Sequence, residues 1–166
     1  MMVAMPFNAD EVFEMAEQIE RNGGRFYRAA AEKFPAVRKL LLKLAEMEDD
    51  HEKTFADMRA ELSAKETAQT VFDPDGQAQM YLRAMADGHI FNPKVDPVEQ
   101  VAGKDTPEDI LKMAIAVERD SVAFYVGLKR CVSQTAGKDK VEGIIAEEIG
   151  HVAILSKELE KLAGPA

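Results

Sequence analysis

Four glutamates and two histidines in this sequence form one chemical set. Glu48 and His51 make a Glu-x-x-His pair, and Glu148 and His151 repeat it 100 positions later. A lone glutamate precedes each pair, Glu20 by 28 positions and Glu118 by 30, and each leads seven residues on to a Phe-Tyr pair, Phe26-Tyr27 and Phe124-Tyr125. Residues three apart share a helix face, so each Glu-x-x-His pair can address one metal ion together. Imidazole nitrogens and carboxylate oxygens suit iron or manganese, and the absence of a cysteine cluster excludes a soft thiolate site. Four glutamates and two histidines on four helices are the ligand set of a carboxylate-bridged dinuclear centre. The four carboxylates offset the four positive charges of two divalent ions. Without cations they would repel one another in a low-dielectric interior unless several stayed protonated.

Coincidence explains one such pair easily but not the whole pattern. With 18 glutamates in 166 residues, a given histidine has a glutamate three before it about one time in nine, and two matches arise about one time in eighty. Both pairs also fall in the middle of apolar helical stripes, which lowers the odds further.

The elements that must position these residues are legible as helices. Asn8 with Glu11 is a capping box opening a first helix, whose inward stripe runs Phe13, Ala16, Glu20, Gly23/Gly24, Tyr27 and Ala31. Phe34-Pro35 breaks that helix and restarts a second, with Val37, Leu41, Leu44, Glu48, His51, Phe55, Met58 and Leu62 on one face. Thr106-Pro107-Glu108-Asp109 opens a third, striped by Leu111, Ala114, Glu118, Ser121/Val122, Tyr125 and Val132. Ala136-Gly137 separates it from a fourth, striped by Val141, Ile144, Glu148, His151, Leu155, Leu159 and Leu162 and ended by Gly164-Pro165. The halves therefore repeat: a helix with one inward Glu, a turn, and a helix with an inward Glu-x-x-His.

Between the halves, residues 64–105 read as a crossover, too long for a hairpin loop. Val71-Phe72-Asp73-Pro74-Asp75-Gly76 is turn chemistry, Gln77 to Asp87 reads as a short helix ended by Gly88, and Asn92-Pro93 and Asp96-Pro97 punctuate the rest. The expectation is an all-α four-helix bundle of two antiparallel helix pairs, with a long crossover containing a short helix, as one domain over residues 1–166.

Composition narrows the partners. The chain is 46% hydrophobic and 31% charged, with 21 basic against 30 acidic residues and a net charge of −9. That balance argues against nucleic acid and against an anionic membrane surface. Cys131 is the one cysteine, so no intrachain disulfide forms, and it reads as a small buried residue. The N-terminus has no signal-peptide pattern and no run approaches a membrane span, so a cytoplasmic protein is expected. Asp49, Asp50, Glu52 and Glu147 read as solvated faces or outer partners of the ligands, with Glu147, four before His151, a rival to Glu148. Glu17 reads as exposed and His89 as structural. Tyr27 and Tyr125, two turns beyond their glutamates, are placed to donate hydrogen bonds to ligand carboxylates across the bundle. Tyr81, Leu82, Met85, Ile90 and Phe91 could cover the bundle or a partner, and a homodimer is expected.

At Glu20…Phe26-Tyr27, Glu48-x-x-His51, Glu118…Tyr125 and Glu148-x-x-His151 the chain resembles the rubrerythrin branch of the ferritin-like superfamily. The resemblance spans nearly the whole sequence. It implies a bundle with a non-haem centre of two iron ions, with manganese as an alternative and zinc as an adventitious occupant, and an oxidoreductase that uses peroxide or dioxygen. Glu20 and Glu118 are then terminal or bridging ligands, Glu48 and Glu148 bridge, and His51 and His151 give one nitrogen to each ion. Rubrerythrins proper carry a rubredoxin-like domain with four cysteines, where this sequence has Cys131 alone; a separate electron donor is therefore expected. They also carry an additional glutamate three residues after the third-helix ligand, a position held here by Ser121. A ferroxidase or iron-handling role without turnover, and a manganese catalase, are the competing expectations.

Overall fold

The computed structural model describes residues 7–68, 75–87 and 95–165, and these are helical. Four long helices carry the architecture: α1 (Ala9–Lys33), α2 (Arg38–Ala60), α6 (Pro107–Arg130) and α7 (Lys138–Ala163). Three short ones lie in the crossover: α3 (Ala64–Ala68), α4 (Gln77–Asp87) and α5 (Pro97–Ala102).

The caps form as the sequence dictates. The Asn8 side chain accepts from Glu11 N–H at 2.9 Å while the Glu11 carboxylate accepts from Asn8 N–H at 3.0 Å, satisfying two otherwise orphaned amides. Phe34 ends α1, and a single 3-10 turn, Pro35–Val37, redirects the chain into α2. Thr106 caps α6 by accepting from Asp109 N–H at 3.1 Å, with Pro107 in the first turn. Gly137, at φ 107°, begins α7 in a left-handed conformation that other residues adopt at a steric cost.

Ion pairs show that the helices of each pair run antiparallel. Asp10 meets Arg59 at 2.7 Å, Arg21 meets Glu52 at 2.7 Å and Arg28 meets Asp49, a descending series along α2 as α1 ascends. Lys129 faces Glu142 at 3.4 Å across α6 and α7. An all-α bundle of two antiparallel pairs is what the structure contains.

Two apolar clusters fill the bundle, one on each side of a polar layer. Phe26, Leu41, Leu44, Ile110, Leu111 and Leu155 belong to the first, and Phe13, Phe55, Met58, Leu128, Val141 and Ile144 to the second. Each long helix feeds both clusters, and its ligand-type residues fall between the two contributions. Burial of these side chains at roughly 1.5–3 kcal/mol each sustains a layer of charge that is costly by itself.

The crossover departs from expectation in its detail. The anticipated helix over Gln77 to Asp87 is present, but two further short helices accompany it. Asp96-Pro97, read as punctuation, starts α5: Asp96 accepts from Val98 N–H at 3.0 Å and Pro97 occupies the first turn. The same residues that break a chain also cap a helix, and tertiary anchoring chose the second use. The Lys33 ammonium donates to the carbonyls of Val101, Ala102 and Lys104, fixing the end of α5 against α1. Leu82 is fully buried, Met85 packs on the second cluster, and the Tyr81 hydroxyl donates to the Ala123 carbonyl at 2.6 Å, so these three cover the bundle. Gly127 leaves the space on α6 over which the Tyr81 ring lies.

At the far turn, α6 ends at Arg130, so Val132 is buried beyond the helix rather than within its stripe, and Cys131 is buried at the C-cap. No described helix is long and apolar enough to cross a membrane. Val71–Pro74, Gly88, His89, Ile90, Phe91 and Asn92-Pro93 lie outside the described residues.

Candidate metal centre

Glu20, Glu48, His51, Glu118, Glu148 and His151 converge between the two apolar clusters, each at most 3% exposed. They arrange as two overlapping groups of donors. Glu20, Glu48, His51 and Glu148 form one, and Glu48, Glu118, Glu148 and His151 form the other, with donor atoms in each group within 4.8 Å of one another. Glu48 and Glu148 belong to both groups. The imidazole rings lie nearly parallel, 5.6 Å apart at 17°. The His51 Nδ1 is 2.7 Å from Glu148 Oε1 and 3.6 Å from Glu20 Oε2. The His151 Nδ1 is 3.5 Å from both Glu48 Oε1 and Glu118 Oε1 and 3.8 Å from Glu148 Oε2.

Helical geometry delivers this set. Glu48 and His51 are one turn apart on α2, as are Glu148 and His151 on α7, so each pair projects to the same side. The tyrosines then lock the remaining two carboxylates. Tyr27 of α1 donates its hydroxyl to Glu118 of α6, and Tyr125 of α6 donates to Glu20 of α1, an exchange across the bundle. Each bond takes one oxygen of its glutamate, Oε1, and leaves Oε2 buried without a hydrogen-bond partner. Tyr27 rests edge-on against Phe26 at 5.3 Å, and Tyr125 lies tilted against Phe55 at 5.1 Å, so both phenols are held by packing.

The electrostatics are those of a site that wants cations. Burial, reinforced by the carboxylates of Glu118 and Glu20, pushes the Glu48 carboxyl well above its ordinary range. Burial, reinforced by Glu48, Glu20 and Glu118, does the same to Glu148. For Glu118 burial pulls upward too, but hydrogen bonds with Glu148, His151 and Tyr27 win and its pKa is lowered. His51 is pushed up to about 11: burial opposes its charge, and contacts with Glu148 and Glu20 overcome that opposition. Burial and the neighbouring carboxylates raise Tyr27 and Tyr125, keeping both phenols protonated as donors.

A pair of metal ions fits this donor set. Glu20 Oε2, Glu48 Oε1, Glu118 Oε2, both Glu148 oxygens, His51 Nδ1 and both His151 nitrogens are buried without a protein hydrogen-bond partner. Buried polar groups are ordinarily paired, because an unpaired one costs about 1–3 kcal/mol. Each of the six residues offers one such atom to the two overlapping donor groups, which together have the make-up of a binuclear centre.

One residue acquires a role that the sequence pattern did not give it. Gly23 sits one turn after Glu20, and a Cβ there would overlap the Glu48 carboxylate. The missing side chain is the space Glu48 occupies. A glycine inside a helix costs about 1 kcal/mol relative to alanine, which is itself a signal of close approach. Gly23→Ala is therefore expected to displace Glu48 and weaken metal binding by at least about 10-fold, while helix content is retained because alanine favours the helix. Calorimetric metal titration checks this, and unchanged affinity would contradict it.

Glu147, read as a solvated face or an outer partner of the ligands, takes the second of these places. It lies on α7, and its carboxylate accepts from His51 Nε2–H of α2 at 2.6 Å. Its expected alternative, rivalry with Glu148 as a ligand, does not match its position: Glu147 is 58% exposed, and Glu148 is the one turned inward. Asp49 and Glu52 form surface ion pairs with Arg28 and Arg21, and Asp50 is exposed. Glu17, expected to be exposed, is largely buried, with its carboxylate 3.6 Å from Arg59.

A bundle of two antiparallel helix pairs enclosing four carboxylates and two imidazoles defines the ferritin-like class of helical metalloproteins. Comparison with known proteins agrees. Residues 11–92 match the family model described as Rubrerythrin. The fold is similar to a crystal structure described as a ferritin-like diiron-carboxylate protein from Thermotoga maritima. That likeness has a TM-score of 0.72 and 27% identity, over 93% of this chain and 95% of that one. Among curated proteins nothing matches. Over residues 11–92 the chain is thus similar to rubrerythrins, and its fold is that of a ferritin-like diiron-carboxylate protein.

Proposed function

We propose that this protein is a non-haem di-iron oxidoreductase that reduces peroxide or dioxygen, with Glu20, Glu48, His51, Glu118, Glu148 and His151 as its ligands. The observation that carries the reading is the pair of overlapping donor groups, buried and centred on Glu48 and Glu148. Glu20, Glu48, His51 and Glu148 would hold one ion and Glu48, Glu118, Glu148 and His151 the other, so Glu48 and Glu148 would serve both. Carboxylate and imidazole donors favour iron over softer metals. When bound, a pair of irons supplies two electrons by passing from iron(II) to iron(III).

The chain's own residues do the rest. Tyr27 and Tyr125 hold the outer glutamates by one oxygen and leave the other available to an ion. The apolar clusters above and below exclude bulk water from the oxidant's position. The four carboxylates would balance the four positive charges of two divalent ions. Electrons would come from a separate donor.

The test is iron(II) oxidation by peroxide under anaerobic conditions, followed by repeated turnover with a supplied reductant. Oxidation that is fast in the wild type and lost in Glu48→Ala supports the proposal. Oxidation once per load of iron, with no turnover under any reductant, would make the protein an iron-handling ferroxidase instead.

A further inference from the structure

The two halves of the chain repeat each other, and one position next to the centre breaks the repeat. Glu147 precedes Glu148, and the residue that precedes Glu48 is Met47. Glu147 reaches across from α7 to hold the outer nitrogen of His51 on α2, at 2.6 Å. His151 is 1% exposed, and its Nε2 has no protein hydrogen-bond partner among the described residues. A thioether such as Met47 is a weak acceptor and carries no charge. One imidazole is thus tied to a carboxylate on its far side and the other is not.

We infer that Glu147 is a positioning residue that makes the two ion positions unequal: the position served by His51 binds first and tighter, and the position served by His151 is the weaker, exchangeable one. The inference rests on the ligand assignment proposed above. An outer carboxylate fixes the tautomer that presents Nδ1 to the ion, fixes the plane of the ring and raises the basicity of the coordinating nitrogen. His51 has all three advantages. Glu148, which contacts His51 Nδ1 at 2.7 Å, and Glu147 come from neighbouring positions on α7, so one turn of that helix sets both sides of the ring.

The experiment uses cobalt(II) as the probe and follows stepwise binding by calorimetry and by visible absorption of the bound ion. Loss of an outer partner typically lowers metal affinity 10–100-fold. His151→Gln should therefore keep the tight first step, and His51→Gln should lose it by about 10–100-fold. Glu147→Met copies the other half of the repeat at an exposed position. It should weaken the first step by the same factor and bring the two histidine variants, made in that background, to within about 2-fold of each other. Glu147→Gln, which keeps an acceptor without the charge, should fall between. Equal first steps in His51→Gln and His151→Gln with Glu147 present would overturn the inference and leave the di-iron reading standing. A wild type that binds no cobalt(II) would overturn both.

Discussion

Replacing Glu148 by glutamine will abolish tight binding of both ions. Its carboxylate lies between the imidazoles, 2.7 Å from His51 and 3.8 Å from His151, and it belongs to both donor groups. Structural metal sites with four ligands bind with about 10–16 kcal/mol, which is roughly 3 kcal/mol per ligand and a factor of more than about 100 in affinity. A shared ligand forfeits that factor twice. Glu20→Gln and Glu118→Gln remove donors that serve one group each, so each should spare one ion. The metal-free fold should survive the glutamine. The side chain is nearly isosteric, and burial already makes a charged carboxylate unfavourable at this position. Metal per chain after equilibrium dialysis reads the result directly, together with the thermal midpoint of the metal-free protein. One ion retained at wild-type affinity would show that Glu148 does not bridge.

The metal-free protein is expected to lose stability as pH rises through neutrality, and the metal-loaded protein to gain it. Glu48 and Glu148 have folded-state pKa values raised above the ordinary 4.5 by burial and by neighbouring carboxylates. A group raised in this way stabilises the fold fully below 4.5, and that contribution is lost as pH climbs through the raised value. His51, raised from 6.5 to about 11, contributes fully below 6.5 and loses its contribution as pH rises through about 11. Glu118 has the opposite sign. Its lowered pKa gives stability above 4.5 that is lost on acidification through the folded value. The metal-free optimum therefore lies on the mildly acidic side. Cations invert the trend because they bind the deprotonated donors and release the protons. Ligand at 100 times its dissociation constant adds about 2.7 kcal/mol. At about 2–4 °C per kcal/mol for a domain of this size, the shift in midpoint is readily measured. Calorimetry with chelator and with metal, between about pH 6 and 9, should show slopes of opposite sign, and metal added to lightly buffered protein at neutral pH should acidify it. A metal-free midpoint that rises across that interval would contradict the buried-carboxyl account.

What the sequence by itself determined was everything that depends on local period. The capping box at Asn8, the break at Phe34-Pro35, the start at Thr106-Pro107 and the helix over Gln77 to Asp87 follow from residues within one or two turns of each other. So does the pairing of Glu48 with His51 and of Glu148 with His151, because three residues nearly complete a helical turn whatever the helix packs against. The inward stripes were legible for the same reason, and with them the six buried glutamates and histidines and the class of fold.

Only the tertiary structure decided how the helices look at one another. Of the carboxylates across the bundle, Tyr27 takes Glu118 and Tyr125 takes Glu20; Glu48 leans into the space at Gly23, and Glu147 crosses to His51. Those contacts join residues 25 to 105 positions apart, and they depend on interhelical rotation and register, which no local spacing encodes. Glu17, Val132 and Asp96-Pro97 departed from expectation for the same reason, since each answers to a neighbour on another element or to a turn beyond the helix end. A side chain's face is set by its own helix, and its partner is set by where the next helix comes to rest.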